Sequence, residues 1–133
     1  MTNTTLTNQN PESTKNYIIQ LLEQLTIDYH NTKLDRQAIA HLSTPSETEF
    51  TLLEEIELLT TDIRGYASQI KARGYIEKPQ EAIEQLQHKR VFDTPQIAQF
   101  YLINSHEYEK LKSYLRMLDY LRLIILEHLT IQS

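Results

Sequence analysis

The sequence predicts an all-α fold, a helical bundle of four to five helices, and three observations carry that reading. Apolar residues recur at intervals of three and four in every segment, the period of a helix with one buried face. Each of the four prolines, Pro11, Pro45, Pro79 and Pro95, opens such a pattern; proline suits a first helical position because its missing N–H has no partner there in any case. The alternating apolar pattern of half-buried strands is nearly absent, and only two glycines occur in 133 residues. With 40% hydrophobic residues the chain fits one domain with a substantial core. Residues 1–10 read as a polar, disordered tail and 11–133 as a single helical domain.

Taken in order, the patterns predict helices over 11–30, 33–43, 45–73, 79–91 and 95–131. Asn10 caps the first, which carries the stripe Ile18, Leu22, Leu25 and Tyr29. Thr32, with Asp35 as its capping-box partner, opens the second, which carries Ala38, Ile39 and Leu42. Thr44 and Glu47 form the corresponding box for the third. The third helix holds Leu52, Ile56, Leu59, Ile63, Tyr66 and Ile70, a heptad-type, coiled-coil-like seam suited to left-handed packing. Its acidic opening and its basic end at Lys71 and Arg73 complement the helix dipole. Lys78 is a poor cap, which makes the start at Pro79 the weakest, and Thr94 is a good cap for the last helix.

Both glycines lie in this region, each between an arginine and a tyrosine. Gly74 follows the last turn of the third helix, where a left-handed residue ends a helix. Gly65 sits mid-helix, where glycine costs about 1 kcal/mol against alanine; close approach of another backbone, or a kink, is the expected reason.

The C-terminal helix is long, with a seam of Tyr101, Tyr108, Leu111, Leu115, Leu118, Ile125 and Leu129 interrupted by Asn104 and Arg122. From Met117 to Leu126 it is apolar nearly all round, as expected of a central helix or a subunit interface. Met117, Leu121, Leu123, Ile124 and Leu126 are therefore the candidate association residues, and self-association as a homodimer through this stretch is expected.

The formal charge is −5, which argues against nonspecific nucleic-acid binding and is compatible with a basic protein partner. Glu47, Glu54 and Glu55 are the candidate acidic contacts. With no cysteine, disulfides, thiolate metal sites and cysteine nucleophiles are excluded. No stretch approaches the roughly 20 apolar residues of a membrane span, and the opening "MTNTTLTNQN" lacks the pattern of a secretory signal, so a cytoplasmic protein is expected. Five histidines supply no H-E-x-x-H or E-x-x-H. Glu84/His88 and His106/Glu109 read as exposed ion pairs rather than metal ligands, and no phosphate loop or nucleophile elbow occurs, so no cofactor is expected.

Two short segments resemble functional motifs. Leu34–Leu59 is similar to a helix-turn-helix in its Arg-Gln-x-Ile-Ala-x-Leu run and in Ser46-Glu47-Thr48. The recognition helix this implies starts at Pro45 and carries Glu47, Glu49, Glu54, Glu55 and Glu57, which phosphates repel. Arg122 and His128 resemble the R-x4–6-H motif of HEPN ribonucleases, which are small helical bundles. Here the intervening residues are mostly apolar, and a continuous helix turns the two side chains about 120° apart; pairing of Arg122 with Asp119 or a glutamate is the competing expectation. The leading functional expectation is a non-catalytic protein-interaction module, an adaptor, assembly factor or complex subunit associating through its long helices. The alternatives are an acidic inhibitor or immunity protein neutralising a basic toxin or nuclease, and a HEPN-like RNase.

Overall fold

The structure, a computed structural model, describes residues 11–42, 50–103 and 106–132. Among them are six α-helices: α1 (Pro11–Asn31), α2 (Lys33–Ile39), α3 (Leu52–Arg73), α4 (Pro79–Gln87), α5 (Pro95–Ile103) and α6 (Glu109–Gln132). A 3-10 turn, Val91–Asp93, lies between α4 and α5, and no strand occurs among the described residues. The predicted tail, together with Thr44, Pro45 and Glu47, falls outside them.

α6 is the central helix, packed against α1, α2, α3, α4 and the 3-10 turn. Cross-helix bonds give the directions. Thr14 meets His128 and Tyr29 packs against Tyr114, so α1 runs antiparallel to α6. Thr60 meets Tyr114 and Gly74 meets His128, so α3 runs parallel to it. The predicted stripes supply the core: Ile18, Leu22 and Leu25 of α1, Ile56, Ile63 and Ile70 of α3, and Leu111, Leu115, Leu118, Leu121, Ile125 and Leu129 of α6 are all buried. Each buried leucine or isoleucine contributes about 1.5–3 kcal/mol over its exposed state.

Three boundaries differ from the sequence reading for local reasons. α3 begins at Leu52 because Thr51, extended at φ −69° and ψ 165°, closes a capping box with Glu54. Glu54 N–H donates to the Thr51 hydroxyl at 3.1 Å, and Thr51 N–H to the Glu54 carboxylate at 2.8 Å. α2 stops at Ile39, its one buried side chain, leaving Leu42 exposed. α4 stops at Gln87, and the chain re-forms as the 3-10 turn that buries Val91.

The largest difference is in the last helix, which is two. Tyr108 lies in the left-handed region at φ 58° and ends any continuity between α5 and α6. Its ring packs 5.4 Å from that of Phe100, so the seam from Tyr101 through Tyr108 to Leu111 is not one helical stripe. The new N-terminus is capped from a distance: the Asp35 carboxylate accepts the Leu111 N–H at 3.1 Å. Asp35 therefore caps α6 across the fold, and the Thr32 hydroxyl, which makes no cap bond, donates to the Tyr29 carbonyl at 2.6 Å instead.

Candidate interaction surface

The association residues read from α6 separate by burial. Leu121 and Ile124 are buried in the protomer's own core, and Met117 and Leu126 are half-buried against it. Only Leu123, 47% exposed, faces out. The reason is position: α6 packs against α1, α2, α3, α4 and the 3-10 turn, so most of its apolar circumference is used internally.

Of the acidic candidates, Glu54 and Glu55 lie in the first turn of α3. Glu54 is held in the α3 capping box. Glu55 is half-buried, and burial first, then the neighbouring Glu54, pushes its carboxyl pKa up. Glu47 lies outside the described residues.

Arg122 and His128 are both buried and are bonded to different parts of the fold. Arg122 Nε donates to Asp119 at 3.0 Å, the pairing expected from sequence, and Nη1 to the Leu86 carbonyl at the end of α4 at 3.0 Å. His128 Nε2 donates to the Gly74 carbonyl at 3.0 Å, which fixes the neutral tautomer and leaves Nδ1 to accept from the Thr14 hydroxyl at 2.5 Å. Burial lowers the His128 pKa below the ordinary histidine value. Among the described residues no three histidine, aspartate or glutamate side chains come together in a way that would hold a metal ion, and Glu84, His88, His106 and Glu109 are all exposed.

Gly65 has no backbone near it: a Cβ built there meets nothing within 4 Å, and α3 runs through it unbroken. It is instead the shared floor of two shallow polar depressions. One, of about 530 Å³, is lined by Tyr29, Thr60, Arg64 and Ser68 among others; the other, of about 220 Å³, by Asp62, Tyr66 and Gln85 among others.

An apolar concavity lies elsewhere. Phe92, Ala98, Tyr101, Leu102 and Arg116 line a groove of about 360 Å³ where the 3-10 turn, α5 and α6 meet. The Phe92 and Tyr101 rings stand edge-to-face at 5.0 Å. Arg116 donates to the Tyr101 hydroxyl and lies 5.9 Å from that ring's centre, while the Lys112 ammonium is 5.8 Å from it. Leu102 is 81% exposed, the most exposed large apolar side chain described. Helical spacing puts Arg116 and Leu123 on one stripe of α6, seven residues and about 10 Å apart. Reading 95–131 as one helix hid this groove. The signal that would have found it is the run Asn104-Ser105-His106-Glu107, polar and out of register between two apolar segments.

Comparison with models of protein families, with curated proteins and with solved structures finds no match for this chain.

Proposed function

We propose that this protein is a non-catalytic interaction module that docks another protein on the face formed by the 3-10 turn, α5 and the outer stripe of α6. The observation that carries the reading is Leu102, 81% exposed on the rim of an apolar groove, with Leu123 further along the same face. Exposed apolar surface gathered around a concavity marks association sites, whereas single scattered leucines do not. A non-catalytic role is supported by the commitment of Arg122 and His128 to bonds that hold helices together. This shifts the association surface from the whole of Met117–Leu126 to the part of α6 that remains outside the core.

Site-specific photo-crosslinking in the native cell tests it. A benzophenone side chain at position 102 or 123 is expected to capture the same protein, and one at the exposed position 71 of α3 is not. Absence of adducts at 102 and 123, or an identical pattern at all three positions, rejects the reading. A second copy of this chain in the adduct identifies the protein as a self-associating module.

A further inference from the structure

Resting on that reading, we infer that the groove's partner is an amphipathic helix of another protein, which seats an apolar side chain between Phe92, Tyr101 and Leu102 and sets a carboxylate against Arg116. The helical form follows from hydrogen bonding. The groove is walled by α5, α6 and the 3-10 turn and presents no strand edge, so an extended strand laid there would find no ladder to join. A helix brings its own backbone bonds and needs only side-chain contacts. The distance from the groove to Leu123 along α6 matches two helical turns, so anchors at i and i+7 of the partner meet the groove and Leu123 together.

The carboxylate follows from charge. The chain is acidic overall, at −5, yet two cations, Arg116 and Lys112, stand beside the Tyr101 ring at this groove. Among the described residues neither Arg116 nor Lys112 belongs to an ion pair, which is true of most of the chain's cations, but these two lie against one ring, that of Tyr101. Lys112 is almost wholly buried, with the Tyr101 ring beside its ammonium. Arg116 is exposed and uses one N–H on the Tyr101 hydroxyl, which keeps the guanidinium over the groove with donors to spare. A carboxylate one turn from the apolar anchor meets that guanidinium at the groove's rim.

A phage-displayed library of 18-residue helical peptides, randomised on one face and selected on the full chain, tests this. The expected binders carry two large apolar residues seven apart and an Asp or Glu at a fixed offset from the first. Their affinity falls about 5-fold or more on Arg116→Glu, and exchanging the peptide's acid for lysine restores binding to that variant. Leu102→Asp abolishes binding; because Leu102 is exposed, its thermal melt stays at the wild-type position. Binders with the apolar spacing but no acid, or binders indifferent to Arg116→Glu, overturn the acidic partner while leaving the face intact. Binders indifferent to Leu102→Asp, or no binders at all, overturn the docking face as well.

Discussion

Two regions flanking α6 are built on opposite terms. At its C-terminal end, polar side chains bridge α6 to the neighbouring elements, although Glu127 Oε2 is buried there without a partner among the described residues. His128 joins the start of α1 to the end of α3, and the Gln132 amide makes two bonds to the Ile76 backbone, at 3.1 and 2.7 Å. Beside its N-terminal half, α5 leaves Leu102 in solvent, Arg116 and Lys112 without acids, and the buried Gln96 Oε1 without a partner among the described residues. A satisfied polar network in a low-dielectric corner fixes one arrangement of helices. Stability and, on the reading proposed above, recognition are carried by different stretches of one helix and can be perturbed separately.

The strongest way to break that division is to compare Leu121 with Leu123, two residues apart. Leu121 is fully buried, so Leu121→Ala is expected to cost about 3 kcal/mol through lost transfer energy and the cavity left behind. Leu123→Ala, at a site 47% exposed, is expected to change stability by less than about 1 kcal/mol. Urea unfolding followed by far-UV circular dichroism measures both. Equal losses would place Leu123 in the core and remove it from the docking face.

The next effect sharpens the closed corner. His128→Ala leaves the Gly74 carbonyl without its His128 donor and opens a hole beside Thr14, and is expected to cost about 2–3 kcal/mol. Its pH dependence has a definite sign. Burial lowers the folded-state pKa of His128 below the 6.5 of the unfolded chain, so the unfolded state takes up the proton first. This contribution to stability is complete above about pH 6.5 and is lost as pH falls from there toward the folded pKa. The other histidines, His30, His41, His88 and His106, are exposed. His128→Gln should therefore flatten the decline in urea midpoint between about pH 7 and 5.5, and an unchanged slope would assign it to other groups.

Much of the fold was legible because period and punctuation are local. Pro79 and Pro95 start helices where they stand, Gly74 ends α3 in the left-handed region at φ 84°, and the α3 seam lies in the core apart from the half-buried Tyr66. What escaped were relations across the fold. Asp35 was assigned to Thr32, three residues away, but its carboxylate serves Leu111, a pairing no local rule encodes. That distant cap lets α6 start afresh after Tyr108, and missing it fused α5 with α6 and concealed the groove between them. Asp35→Ala is expected to lower stability by about 1 kcal/mol, the worth of a lost cap, and hydrogen exchange should show the first turn of α6 losing protection. Full retention of protection there would mean that packing alone holds the α5–α6 break. The candidate surface was half legible for a related reason: apolar residues all round a helix report that it is covered, not by what.

The smallest effects come from the two glycines, and they are expected to have opposite signs. Gly74 belongs to the closed corner. Its φ of 84° is a conformation that costs an L-residue about 1 kcal/mol, and its carbonyl holds His128, so Gly74→Ala should destabilise by about that amount or slightly more. A Cβ there meets only the flexible Lys15 side chain at 3.8 Å, so the cost is conformational rather than steric. Gly65 is an exposed residue in the interior of α3 with open space above it. Alanine at that position restricts the unfolded chain and favours the helix, so Gly65→Ala should stabilise by about 1 kcal/mol. Because the two sites share no partner, the double variant should melt near the wild-type temperature. A destabilising Gly65→Ala would mean that something occupies the space above α3 in solution, which analytical ultracentrifugation would register as a second copy. A stabilising one leaves the α5–α6 face as the surface on which association is to be sought.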